Sequence, residues 1–163
     1  MYALLAAILT IALGGNGYWQ TPDVEAIGVA FTHARTVIPE GIILVSVDTV
    51  PDRDVRRTAG GQLPEPEMIH EAATLAGFAH GFTSDAVVCE AAGACRAIGS
   101  FRGLVQVVES RVQDSDSAVV TLRVLRFTPE ANPVYEQVDE VHVSRRDRMS
   151  DWRIERIIRI SES

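Results

Sequence analysis

The residues best suited to acid–base chemistry lie near the middle of the chain: His70, Glu71, His80 and Asp85. An imidazole beside a carboxylate is the smallest unit that can take and return a proton at neutral pH. Residues of these types, at a helix end and in the loop after it, could meet at the mouth of a pocket. They are also ordinary on solvent-exposed helices and loops, and the sequence favours that structural interpretation.

The histidines do not have the spacing of metal ligands. His70-Glu71 begins like a zinc-protease helix, but Thr74 occupies the position that a second histidine would need. His33 falls on the polar side of the first helix, and His142 lies in a strand on a face expected to be exposed. We therefore expect no metal site and no cofactor, and the sequence favours a non-catalytic role.

Two cysteines, Cys89 and Cys95, predict a disulfide across a short hairpin. The residues between them are small, and the flanking segments 86–88 and 96–98 have strand character. Opposed residues of an antiparallel pair lie close enough for two sulfurs to bond. Free buried thiols and a metal-bound pair are the alternatives, although metal binding would need two further ligands.

The first 22 residues contain no charged side chain, and residues 3–13 form one apolar run. This run has the length of a signal-peptide core and is shorter than the roughly 20 residues that span a membrane. The segment before it lacks Lys and Arg, which departs from the usual signal peptide. We expect residues 1–15 to be a signal peptide, with a short membrane anchor or a retained core helix as alternatives. A secreted or periplasmic protein without a stable membrane span follows from this expectation.

The charge balance excludes several functions. All 15 basic residues are Arg, and 22 acidic residues leave a net charge of −7. Without Lys there is no Schiff-base chemistry, and an acidic chain lacks the basic face that nucleic-acid binding requires. Arginines between Arg145 and Arg159 follow an acidic strand segment that contains Glu136, Asp139 and Glu140, so we expect ion pairs between these neighbouring strands.

A single α+β domain is expected over residues 21–163, beginning with two amphipathic helices. The first starts with Thr21 as its cap and repeats apolar residues on one face as far as Ile38. A strand is expected at 42–50. The second helix occupies 65–77, with Leu75 on its apolar face and Gly77 as its C-terminal cap. Residues 51–66, rich in Pro, Gly and charge, predict a flexible surface loop.

From residue 103 the apolar period changes to two, which is typical of strands. Strands are expected at 104–112, 118–127, 134–145 and 152–160. In the last of them, Trp152, Ile154, Ile158 and Ile160 would share the buried face.

This meander, over residues 103–161, resembles the C-terminal strands of the NTF2-like and SnoaL-like cone-fold families. It also fits a cystatin-like helix-on-sheet arrangement. The resemblance implies two N-terminal amphipathic helices packed on a curved antiparallel sheet of five or six strands.

The sequence favours a non-catalytic binding or interaction module of a bacterial envelope or extracellular space, with an unknown protein or small molecule as its partner. The resemblance implies an alternative, a small-molecule-binding protein or enzyme with a pocket between helices and sheet and with His70 or His80 as the acid–base residue. A core filled by Ile27, Phe31, Leu75 and Trp152 would favour the first function, and a deep cavity holding an ionisable group would favour the second. A homodimer formed through the sheet is a third expectation.

Overall fold

The computed structural model describes residues 22–48, 61–89, 95–128 and 135–162. In chain order its elements are α1 (Val24–Phe31), α2 (Ala34–Val37), β1 (Ile42–Ser46), α3 (Pro66–Leu75), β2 (Ala79–Gly81), α4 (Thr83–Ala86), β3 (Val87–Cys89), β4 (Cys95–Ala97), β5 (Phe101–Asp114), β6 (Ser117–Arg126), β7 (Tyr135–Ser144) and β8 (Arg153–Glu162). The α+β class is therefore confirmed.

Six of the strands form one sheet in the order β2-β1-β5-β6-β7-β8, while β3 and β4 form a separate hairpin. Strand β1 runs parallel to both of its neighbours, β2 and β5, and the remaining pairs are antiparallel. The expected all-antiparallel sheet is wrong at this side. Helix α3 lies between β1 and β2 in the chain, and such a crossover returns the chain to the same end of the sheet. The helices accordingly lie at 24–37 and 66–75, on both sides of β1, and do not form an N-terminal pair.

The first helical segment is capped and interrupted by side chains that bond to the backbone. Asp23 is the N-cap, and its Oδ1 accepts from the Ala26 N–H at 2.9 Å. Thr21, the expected cap, lies outside the described residues. The expected continuous helix to Ile38 is wrong, because α1 ends at Phe31 and α2 begins at Ala34. At the break the Thr32 hydroxyl donates to the Val29 carbonyl at 2.6 Å, a contact that competes with regular helical bonding.

Helix α3 agrees closely with the expectation. Pro66 occupies its first turn, and Gly77 follows it with a φ of +71°, the left-handed conformation that ends many helices. Its residues Ile69, Ala72 and Ala73 are buried. Leu75 is an exception to the predicted apolar face, since it is 63% exposed.

The main core lies between the helices and one face of the sheet. Ile27 and Phe31 of α1 are completely buried there, and Trp152 is 8% exposed. From the sheet, the core includes Ile43, Val45, Val105, Val107, Val120, Leu122, Val124 and Val141. Burying a side chain of the size of Ile or Phe stabilises the fold by about 1.5–3 kcal/mol. Three of the four residues named as fillers of this core thus fill it, and Leu75 does not.

The C-terminal meander has the expected strands, but the face assignment of β8 is wrong. Arg159 lies opposite Asp139, and Ile154 lies opposite Val143. Register shifts leave Glu155 and Ile160 as extra residues of β8, which are β-bulges. Because each bulge exchanges the two faces, Ile154 and Ile158 point to opposite sides.

The expected surface loop is described only in part. Residues 51–60 lie outside the described residues. Beyond them, Gln62 forms an antiparallel bridge with Ser110 of β5, in which each backbone N–H donates to the other residue's carbonyl oxygen. This end of the segment is therefore attached to the sheet.

Candidate functional site

The structure brings two of the predicted acid–base residues together. The rings of His70 on α3 and His80 on β2 have centroids 4.0 Å apart, and the Thr74 hydroxyl lies 3.2 Å from His80 Nε2. Among the described residues, neither ring has a carboxylate within ion-pair distance. Glu71 is exposed on α3, and Asp85 accepts from the Phe82 N–H at 2.8 Å at the start of α4. The two carboxylates thus lie apart from the imidazoles that they were expected to assist.

A histidine–carboxylate pair does exist, at a place that the sequence did not suggest. His33 Nε2 lies 2.6 Å from Asp139 Oδ2, and the two side chains are 4% and 0% exposed. Asp139 also accepts from the Gln137 amide and, at 3.3 Å, from Arg159 Nε. The expectation that His33 faces solvent is wrong, because the backbone stays helical at His33, which follows the buried Ala30 by three residues and lies on the same side.

His33 has hydrogen-bonding neighbours at its backbone carbonyl and at both ring nitrogens. The Thr36 hydroxyl donates to the His33 carbonyl at 2.7 Å and lies 3.1 Å from His33 Nδ1. Both ring nitrogens therefore face an acceptor, an oxygen of Thr36 on one side and of Asp139 on the other. The group ties the α1–α2 break to β7 and β8 and has a structural role.

A sequence signal for this pair was available. In β7, Gln137 and Asp139 are in phase with Val141 and Val143, so four alternate positions share the face that packs under the helices. Two polar residues in phase with buried valines indicate a buried polar group that needs partners.

His142 is also buried, against expectation, at 8% exposure. Its Nε2 lies 3.4 Å from Glu140 Oε2, which is an ion-pair distance without the alignment of a hydrogen bond. Glu140 accepts instead from Arg111 Nη2 at 3.1 Å. This face of the sheet is therefore lined with polar groups.

Most of the ion pairs expected between β7 and the C-terminal arginines are replaced by others. Glu136 accepts two bonds from Arg123 of β6, at 2.8 and 2.9 Å, and Glu140 pairs with Arg111 of β5. Arg145 pairs with Asp116 at 3.0 Å. Only Arg159, through Asp139, forms a pair of the expected kind within the described part of the chain. The arginines of β8 are thus mostly left facing outward.

Strand β8 is the most exposed element of the sheet. It forms one edge, is ten residues long, and has nine exposed positions. Ile157, Ile158 and Ile160 are 41%, 38% and 54% exposed. A long edge strand offers a row of backbone N–H and C=O groups to another strand. This strand is therefore a candidate docking surface.

The C-terminal end of β8 is fixed by a small cluster of titratable groups. A hydrogen bond with Tyr135, followed by one with Arg159, lowers the pKa of Glu162. The same contact with Glu162 raises the pKa of Tyr135. Arg159 Nη1 donates to Glu162 Oε2 at 2.7 Å. This cluster holds the end of β8 against β7.

The cysteines are opposite one another in the backbone. Cys89 of β3 is the register partner of Cys95 of β4, as the hairpin prediction requires. The disulfide itself stays a prediction. The expected signal peptide, residues 1–15, lies outside the described residues.

Comparison with protein-family models, curated proteins and solved structures gives no match for this chain. The NTF2-like resemblance therefore stays a prediction. Within the described ranges, no helix has both the length and the apolar character to cross a membrane. The same ranges contain no group of three or more His, Cys, Asp or Glu residues placed to hold a metal ion.

Proposed function

We propose that this chain is an exported, non-catalytic interaction module of a bacterial envelope or extracellular space, and that it pairs with a second copy of itself through β8. The observation on which the proposal rests is the exposure of a ten-residue edge strand that includes three exposed isoleucines, Ile157, Ile158 and Ile160. Edge strands of isolated domains are usually short or covered, and this one is neither.

The charge pattern of β8 favours a second copy of this chain as the partner that pairs with it. If two β8 strands pair antiparallel with Ile157 opposite its own copy, Glu155 of each chain faces Arg159 of the other. Ile154 then faces Ile160 of the second copy. Opposite charges and β-branched residues across a strand pair each contribute about 0.2–1 kcal/mol. Shifting the register by one residue in one direction places Arg156 opposite Arg159, which brings like charges together, and shifting it in the other direction places Glu155 opposite Ile158, which removes the pair of opposite charges.

The bulges of β8 favour a symmetric dimer over continued addition of strands to the edge. Only Arg156 to Arg159 pair regularly with β7 between the extra residues Glu155 and Ile160. Bulges twist an edge and limit how far a new strand can follow it. A pairing centred on Ile157 places the regular segment at the two-fold axis, has the bulge residues Glu155 and Ile160 at its ends, and closes by symmetry.

The alternative, a cone-fold pocket protein, receives less support. Ile27 and Phe31 fill the space between helices and sheet where its pocket would lie. Neither an NTF2-like nor a cystatin-like architecture is needed for the proposed role.

Sedimentation over a range of concentrations tests the pairing. The chain should pass from monomer to dimer as its concentration rises, and Ile157→Lys should abolish the dimer because two ammonium groups would meet at the two-fold axis. Leu75→Lys is the matched control, since Leu75 is exposed on α3. A monomer at all concentrations, or equal loss in both variants, would overturn the pairing.

Intact mass of the protein from its native host tests export separately. We expect removal of the N-terminal apolar segment and a mass lower by two hydrogens, as an oxidised Cys89–Cys95 pair requires. An unprocessed chain with free thiols would contradict export and leave the pairing result unaffected.

A further inference from the structure

Two arginines share an open cleft at the end of the sheet beneath the turn that joins α2 to β1. The cleft has a volume of about 580 Å³, and its walls are the turn from Ile38 to Gly41 together with Arg102, Arg126 and Phe127. It lies on the central strands β5 and β6, away from the β8 edge. Its chemistry is therefore independent of the proposed pairing.

A β-bulge positions the first of these arginines. Phe101 lies opposite Ile42 and Gly103 lies opposite Ile43, so Arg102 is an extra residue of β5. A bulge turns a side chain out of the normal alternation of the strand. The stem of Arg102 then crosses Gly41, where any Cβ would lie 2.2 Å from Arg102 Cγ. Gly41 has a φ of +91°, so both its backbone and the space above it require glycine.

The backbone holds the second arginine beside the first. Arg126 is the register partner of Gly103, the residue after Arg102. The Phe127 N–H donates to the Arg102 carbonyl at 2.9 Å, which joins the two segments where the arginines lie. Because Gly103 has no side chain, the position opposite Arg126 adds nothing to the cleft.

The two guanidinium groups carry charge that the described residues do not balance. Arg111, Arg123, Arg145 and Arg159 each hold a carboxylate. Within the described ranges, Arg102 and Arg126 have neither an ion pair nor a side-chain hydrogen bond. Glu40 also lines the cleft, but it lies beyond ion-pair distance of both. Because both arginines line the cleft, an anion bound there would be attracted to both of them.

We propose that this cleft binds a small organic anion, with its carboxylate or phosphate held by Arg102 and Arg126 and an apolar part against the exposed Pro39 and the small accessible edges of Ile38 and Phe127. Planar guanidinium groups match the geometry of both oxyanions and form charge-assisted hydrogen bonds with them. The apolar wall selects an anion that carries an alkyl or aryl group over a bare ion.

Titration followed by amide NMR shifts tests the site, with phenyl phosphate and benzoate as probes. Saturable shifts at Gly41 and Gly103 are expected with at least one of them, and the tighter probe identifies the oxyanion class. Arg102→Gln and Arg126→Gln should each weaken binding about tenfold, the loss of one charge-assisted hydrogen bond. Arg148→Gln, an exposed arginine of the β7–β8 turn, is the control and should leave the affinity unchanged.

Three results would overturn the proposal. The first is the absence of saturable shifts with both probes. The second is equal weakening by Arg148→Gln, which would indicate nonspecific attraction. The third is binding of inorganic phosphate as tight as that of phenyl phosphate, because the apolar wall would then contribute nothing. The amide spectrum of each unliganded variant shows that it is folded, and Arg126→Gln changes an exposed side chain.

Discussion

The two edges of the sheet are built in opposite ways. Strand β2 is three residues long, and its His80 contacts His70 and Thr74 of α3. Strand β8 is ten residues long, is exposed, and is interrupted by two bulges. A short strand beside a helix offers little to a partner, whereas a long strand with arginines and bulges limits pairing without preventing it. Of the two edges of the described sheet, β8 therefore offers the longer exposed backbone.

The largest effect on stability is expected at Asp139 of β7, which contacts Arg159 of β8. Asp139→Asn removes the carboxylate oxygens that contact His33, Gln137 and Arg159, and a buried polar group left without its partner costs about 1–3 kcal/mol. Urea unfolding should show a loss of this size in the free energy of unfolding. Glu71→Gln, at an exposed carboxylate of α3, should change it little. A loss below about 1 kcal/mol for Asp139→Asn would contradict this prediction, because the contact between His33 and Asp139 would then contribute no more than a surface salt bridge.

A smaller effect is expected at the β2 edge. A Cβ at Gly81 would lie 2.6 Å from Asp85 Oδ2, so Gly81→Ala should displace the carboxylate that caps α4. Loss of such a cap costs about 0.5–2 kcal/mol. The same substitution in an Asp85→Ala background should cost much less, because the contact is already gone. Additive losses in thermal unfolding would show that Gly81 acts through other contacts.

Substitution on the exposed side of β8 should affect association more than stability. Ile160 is 54% exposed at a bulge, and Ile160→Thr keeps a β-branched side chain. At low concentration its unfolding free energy should stay within about 0.5 kcal/mol of the parent chain. Sedimentation at high concentration should show a weaker dimer. A clear loss of monomer stability would mean that this part of β8 is covered.

The smallest effect concerns pH. Hydrogen bonds from Tyr135 and Arg159 lower the pKa of Glu162 below its usual value of 4.5, so the folded state favours the carboxylate. These hydrogen bonds therefore stabilise the folded state fully when the pH is above the usual pKa of a Glu side chain. The stabilisation is lost as the pH falls through the lowered pKa of Glu162 in the folded state. Below about pH 5 the stability advantage of the parent chain over Glu162→Gln should shrink. A constant difference across this range would contradict the assignment.

The local features of the fold could be read from the sequence more reliably than its long-range pairing. The meander strands, α3 with Gly77, and the hairpin between Cys89 and Cys95 follow from periodicity and from residues with special backbone preferences. The parallel pairing of β1 with β2 and β5 could not be predicted in this way, because the local sequence of a strand does not determine which strands become its neighbours. A bulge likewise has no recognisable sequence pattern, and the extra residue Glu155 is enough to put Ile154 and Ile158 on opposite faces of β8.

The site residues show the same limit. His70 and His80 were predicted to meet and do, since α3 leads directly into β2. His33 was misassigned because it is polar, although it follows the buried Ala30 by three residues, and because its partner Asp139 lies 106 residues away. Arg102 and Arg126 become neighbours only through the register of β5 with β6.

The contact between His33 and Asp139 also has a consequence for the order of folding. Because 106 residues separate the partners, this contact cannot form until β7 has been synthesised, whereas the packing of α1 on α3 needs only the first half of the chain. Such distant contacts slow the search for the native state, since a long loop must close before they form. The polar tie between α1 and the sheet should therefore be among the last contacts to form.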